Sequence, residues 1–186
     1  MPAGLRSPLR VVGLSALLAG ALLASLSSGT AGAQAVRDVP VFSISKSENK
    51  NQVQFAVRLD SHCAPLGERP VYAYWRMLEK GFTVTEELLA CEQPAYGIES
   101  QAVRSRGEWE GSVELRLRAL TDRRIMVRSY RTEGGCAARA ETTIEGVLAN
   151  LYNVHALLRW PFGVERIYVS GWAADDGRLL RETVSP

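Results

Sequence analysis

The side chains able to do chemistry are few in this chain of 186 residues: two histidines, His62 and His155, and three cysteines, Cys63, Cys91 and Cys136. His155 is the candidate general base. With Ser47 or a carboxylate as helper it would give a hydrolase or transferase. A histidine alone among leucine, tyrosine and valine otherwise packs and hydrogen-bonds. Ser170-Gly171 lacks the first half of a glycine-flanked nucleophile elbow. His62 and Cys63 are adjacent, so on an extended chain their side chains diverge, and no Cys-x-x-Cys completes a zinc site. Neither a phosphate loop nor a dinucleotide fingerprint occurs. The sequence therefore assigns no catalytic residue, no metal and no cofactor. Glu86-Glu87 and Asp175-Asp176 read as the first turn of a helix and a hairpin turn rather than as working acid pairs. Arg116, Arg118, Arg124, Arg128 and Arg131, with Glu110 and Glu114 nearby, read as a mixed solvated face.

Recognition is the chemistry that remains. Pro70 to Met77 places three aromatics and an arginine in one β-prone run. In a strand Val71, Ala73, Trp75 and Met77 share one face, and Tyr72, Tyr74 and Arg76 share the other. The first set is a core face. The second offers flat apolar area with polar tips. The turn Ser47-Glu48-Asn49-Lys50-Asn51 supplies hydrogen-bonding side chains. The expected ligand-binding set is Ser47, Asn49, Asn51, Tyr72, Tyr74, Arg76 and Tyr96. The expected role is a non-catalytic module that binds a small molecule or an envelope protein, with the His155 enzyme as the alternative.

The start of the chain indicates where this happens. Arg6 and Arg10 precede an uncharged run from Val11 to Leu26, followed by small residues that include Ala31-Gly32-Ala33 and Ala33-Gln34-Ala35. This is the pattern of a secretory signal peptide over residues 1–35, cleaved near Ala33 or Ala35. A secreted or periplasmic protein follows. Removing Arg6 and Arg10 from 22 basic and 20 acidic residues leaves 20 against 20. Such a balance argues against a nucleic-acid partner. No later apolar run is long enough to span a membrane.

The remaining residues, 36–186, are enough for a single domain. Apolar and polar residues alternate clearly in Gln52–Asp60, where Val53, Phe55, Val57 and Leu59 face one way, and in Val113–Ala119. Further strands are predicted at 41–46, 70–78, 96–104, 124–131, 136–144, 147–158, 164–172 and 178–184. Turn residues such as Gly134-Gly135, Glu145-Gly146 and Asp175-Asp176-Gly177 separate several of them. Thr83 followed by Glu86 has capping-box spacing, so a short helix is predicted over Glu86–Ala90 and stopped by Pro94. The expected fold is all-β, an antiparallel meander of eight to ten strands with one short helix. It leans towards a barrel over a sandwich, since closure removes exposed edges. In a meander successive loops alternate ends. Counting them places Cys63 and Cys136 together, and a Cys63–Cys136 disulfide is predicted in the oxidising compartment. Cys91 is left free, buried or paired between chains.

The turn Ser47-x-Asn49-x-Asn51, the run Pro70–Trp75, the triplet Ala95-Tyr96-Gly97, and the Asp-rich turn with Gly177 followed by Arg181-Glu182 occur in an order that resembles the family called domain of unknown function 4833. The likeness spans about Val41 to Val184. It implies an uncharacterised, mainly extracytoplasmic domain without assigned catalytic residues, and the pattern picks out Ser47, Asn49, Asn51, Tyr74, Trp75, Ala95, Tyr96 and Gly97. The three cysteines are not part of that pattern.

Overall fold

In the computed structural model, residues 36–45, 51–79, 82–105, 107, 111–159 and 163–185 are described. The signal-peptide reading and most of the Ser47–Asn51 turn lie outside them. The chain is all-β. Its strands are β1 (Arg37–Ser45), β2 (Gln52–Leu59), β3 (Val71–Glu79), β4 (Phe82–Glu87), β5 (Ile98–Val103), β6 (Val113–Leu117), β7 (Leu120–Thr132), β8 (Gly135–Ile144), β9 (Val147–Arg159), β10 (Gly163–Ala173) and β11 (Leu179–Val184). One short helix, α1 (Gln93–Tyr96), interrupts them.

Alternation places the faces as expected. Val53, Phe55, Val57 and Leu59 of β2 and Val113 and Leu115 of β6 are fully buried in one continuous core, which also takes in Trp75, Ile125, Ile144, Ile167 and Val169. Phe42 and Phe55 stack across β1 and β2 with ring centroids 4.4 Å apart. Each such side chain contributes about 1.5–3 kcal/mol by leaving water.

The neighbours of the strands differ from expectation. The sheet runs β4-β3-β2-β1-β9-β8-β7-β6-β5, with β10 on β9 and β11 on β10. It is open rather than a closed barrel, and it is mixed. All pairs are antiparallel except β1 and β9, which run parallel through Ser43↔Asn153, Ile44↔Val154 and Ser45↔His155. β10 pairs along one edge of β9. The other edge is divided, Val147–Leu151 pairing with β8 and Asn153–His155 with β1. Two antiparallel runs are thus stitched together at one parallel junction.

The predicted helix over Glu86–Ala90 is a second correction. Phe82–Glu87 is strand β4, paired in register with β3 through Trp75↔Glu86 and Tyr74↔Glu87. Thr83, Val84 and Thr85 are β-branched and favour the extended strand over a helical turn. The cross-strand partner decides. Pro94 opens α1 instead of stopping a helix, since the missing N–H is no loss in a first turn. Gly97 follows because a Cβ there would collide with the carbonyl oxygen of Gln93.

Three ties hold the ends of the sheet. The predicted disulfide joins Cys63 to Cys136, with Cα atoms 5.3 Å apart. The loop that carries Cys63 is shaped by Asp60, whose Oδ1 accepts the N–H groups of His62 and Ala64 at 2.8 and 2.9 Å. These bonds pull the Asp60 carboxyl below its ordinary range. β8 pairs with β9 only from Ala140 onward, and its start reaches Arg37 of β1, whose guanidinium lies against Gly135. That course brings Cys136 to the Cys63 loop. Arg123 donates to both Glu182 oxygens at 2.7 and 3.1 Å, and Glu182 also accepts the N–H of Glu145, so β11 is clamped over the β8–β9 turn. The Arg123 bond, foremost, lowers the Glu182 carboxyl below its ordinary value. Finally, the side-chain amide of Gln101 on β5 imitates a strand. It accepts the Val71 N–H at 2.9 Å and donates to the Val71 carbonyl at 2.8 Å, joining β5 to β3 without a backbone ladder.

Candidate functional site

β3 presents the two faces predicted for it. Val71 and Trp75 are buried, Tyr72 and Tyr74 are half-buried on the opposite side, and Arg76 is exposed. The tyrosine rings stack at 5.7 Å with 29° between their planes. The Arg58 guanidinium sits 5.2 Å from the Tyr72 ring centroid and pairs with Asp38 at 3.2 Å. That pair is well exposed and adds little stability. It also places the Asp38 carboxylate beside Tyr72. Burial first, and Asp38 next, push Tyr72 up to about 12. Tyr72 therefore stays a neutral donor at physiological pH.

A groove of about 620 Å³ opens over these rings, bounded by Arg58, Tyr72, Tyr74, Glu86, Glu87 and Gln93. A second cleft of about 210 Å³ lies at the other face of the same edge, beside Asn51, Trp75, Met77 and Leu89, and is also lined by Glu86 and Glu87. Neither carboxylate has an ion-pair partner among the described residues. Glu92 fixes the wall between the clefts and α1. Its Oε2 accepts the Trp75 indole N–H at 2.8 Å and the Leu89 backbone N–H at 2.9 Å.

Of the expected ligand-binding residues, Tyr72 and Tyr74 line the groove. Arg76 continues their face but stands outside the groove. Asn51 lies in the second cleft. Ser47 and Asn49 lie outside the described residues. Tyr96 does not join the other tyrosines. It is 4 % exposed, packs edge-on to Trp75 at 5.5 Å, and its hydroxyl has no hydrogen-bond partner among the described residues. Burial, with Glu92 nearby, raises its pKa. Tyr96 belongs to the core because Trp75 faces inward and α1 packs beneath that face. Cys63 is taken by the disulfide, and Cys91 is free and exposed.

His155 stands at the parallel junction, on the outer face. Ser43 Oγ donates to Asn153 Oδ1 at 3.2 Å, Asn153 Nδ2 donates to Ser45 Oγ at 3.3 Å, and Ser45 Oγ lies 3.0 Å from His155 Nδ1. The direction of the first bonds leaves the Ser45 hydroxyl free to donate to His155. Ser45 is the hydroxyl beside His155 in this row, and Ser47, the expected helper, lies outside the described residues. Neither Ser45 nor His155 lines the two clefts described above.

The sequence reading missed Glu86 and Glu87 as groove residues because it placed them on a helix. It missed Ser45 and Asn153 because only the β1–β9 pairing sets them side by side. It also passed over Tyr152 and Trp172, 53 % and 47 % exposed and 6.5 Å apart on β9 and β10. Their outward position was available from alternation within each strand.

Among the described residues no helix is long and apolar enough to cross a membrane. The sequence profile of the family described as domain of unknown function (DUF4833) matches residues 42–183. No curated protein and no solved structure matches the chain.

Proposed function

Since the chain belongs to the DUF4833 family, whose description assigns no activity, we propose from its groove that it is an exported, non-catalytic binding module. The carrying observation is the groove over Tyr72 and Tyr74, whose rim bears the carboxylates Glu86 and Glu87, unpaired among the described residues. Stacked, half-buried tyrosines with polar tips and nearby carboxylates suit recognition of a partly apolar, polar-edged ligand or partner segment. Export is supported by the basic, apolar and small-residue pattern of residues 1–35 together with the Cys63–Cys136 disulfide. Native mass spectrometry of the protein exported by its own host, under non-reducing conditions, tests both parts. The expected result is a chain lacking its leader, lighter by two hydrogens for the disulfide, that carries a ligand or partner. An apo mass with no associated species would overturn the binding role, and a retained leader would overturn cleavage.

The Ser45–His155 hydrogen bond favours a second reading, an extracytoplasmic hydrolase or transferase. Ser45 Oγ would attack an electrophile while its proton passes to His155. A fluorophosphonate probe tests this directly. Adduct formation on Ser45 with loss of fluoride, abolished by His155→Ala, would support it, and an unlabelled Ser45 would remove it.

A further inference from the structure

β4 is the least covered strand at the rim of the groove. Thr83 to Glu87 are exposed on both faces, and β3 is the one strand paired with β4 among the described residues. The direction of its free hydrogen-bonding groups follows from β3. Arg58 N–H bonds to the Pro70 carbonyl, so Pro70 faces β2. Val71 turns its N–H and C=O the other way, to Gln101. These directions alternate along a strand. Trp75 and Met77 therefore point at β4, where Glu86 and Val84 stand opposite them. Thr83, Thr85 and Glu87 are left pointing their N–H and C=O groups out of the sheet.

The two clefts bracket this edge, one on the Tyr74 side and one on the Trp75 side, and Glu86 and Glu87 line both. A chain laid along β4 would send alternate side chains towards one cleft and then the other. Charge selects the chain. Two adjacent carboxylates on an edge oppose pairing with a second β4 and favour a basic partner. Arg76 stands opposite Thr85, so the preference for basic residues is confined to the Glu86–Glu87 end.

We propose that β4 accepts an extended segment of a partner protein as an additional antiparallel strand, with basic residues opposite Glu86 and Glu87 and β-branched residues opposite Thr83 to Thr85. This rests on the groove being the binding site.

The test uses the disulfide-bonded full domain and a fluorescent peptide, Ac-Lys-Lys-Val-Thr-Val-Thr-amide, followed by anisotropy and by amide hydrogen exchange. A second peptide carries N-methyl groups on the residues that face β4. Binding should slow exchange at Thr83, Thr85 and Glu87. The N-methyl peptide should bind at least about tenfold more weakly, because it loses several main-chain hydrogen bonds. Glu86→Lys with Glu87→Lys should weaken binding by about tenfold or more. Thr85→Pro should abolish it while leaving the fold intact, since proline is tolerated where an edge N–H faces solvent. Equal binding of the N-methyl peptide, or unchanged exchange at those three amides, overturns strand addition but leaves a groove that binds side chains. Absence of binding by the unmodified peptide also overturns it, and the mass measurement on the exported protein then judges the groove separately.

Discussion

Replacing Gln101 by alanine should loosen the tie between β5 and β3. The side-chain amide makes two hydrogen bonds to Val71, and Val71 is 1 % exposed. Removing the amide leaves one buried N–H and one buried C=O. Each such group costs about 1–3 kcal/mol if water cannot reach it, which sets a range of about 2–6 kcal/mol. The structure narrows this range. An open cleft of about 260 Å³ lies beside Val71, Ile98 and Gln101, so water can enter once the amide is gone. The lower part of the range, about 2–3 kcal/mol, is therefore expected. Urea unfolding without reductant measures it, and faster exchange of the Val71 amide localises it. Gln101→Glu sharpens the test. A carboxylate can accept the Val71 N–H but cannot donate to the Val71 carbonyl, whereas a protonated carboxyl can do both. The folded-state pKa of that carboxyl should lie above its unfolded value of about 4.3. Its deficit should then be largest near neutral pH and shrink as the pH falls through the raised value. A Gln101→Ala cost below about 0.5 kcal/mol, or a Gln101→Glu deficit independent of pH, would show that the apolar core alone joins β3 to β5.

Trp75→Ala should cost about 3–5 kcal/mol in the same assay, the range for a buried large aromatic, whereas Tyr74→Ala should cost less than about 1 kcal/mol because its face is open. A severe loss at Tyr74 would make that face structural and count against the groove. Reducing Cys63–Cys136 should remove about 4–5 kcal/mol on the chain-entropy estimate for a separation of 73 residues, read as the shift between oxidised and reduced unfolding curves. Tyr72 is raised from 10.0 to about 12, so the stability it supplies is complete below pH 10 and is lost as the pH rises through 12. Phenolate absorbance should show two late-titrating tyrosines, Tyr72 and Tyr96, of which Tyr72→Phe removes one, and a titration unchanged by Tyr72→Phe would refute the raised Tyr72.

The faces of strands were legible in the sequence, and their neighbours were not. Period-two alternation placed Val53, Phe55, Val57 and Leu59 inside without error, because burial acts on each residue where it stands. Nothing in β1 or β9 alone announces that Ser43 and Ser45 will lie beside Asn153 and His155, since that pairing joins positions 110 residues apart. The Gln101 amide is equally silent, being one polar residue in a polar strand. The Cys63–Cys136 pair was named correctly by counting loops, but the count assumed that Phe82–Glu87 was not a strand. Adding β4 reverses that parity. The bridge forms because β8 leaves β9 before Ala140 and reaches the start of β1, a course that no count of turns contains.

The two ends of this sheet are managed differently, and that difference carries the functional reading. Neither β4 nor β5 buries a residue completely among those described. β5 is nevertheless held to the core, because Gln101 supplies in one side chain the pairing that a neighbouring strand would give. Among the described residues β4 has no such tie on its outer edge. What it has is two carboxylates, and an edge guarded only by like charges resists copies of itself without resisting a strand of opposite sign. An edge meant solely to stay unpaired gains nothing from a groove on each of its faces. The positions of Tyr74 and Trp75, opposite Glu87 and Glu86 on successive residues of β3, give β4 both. The same register therefore ties a core tryptophan, a surface tyrosine and an open strand into one feature, and it makes the β4 edge the place where a partner would gain main-chain bonds and side-chain contacts together.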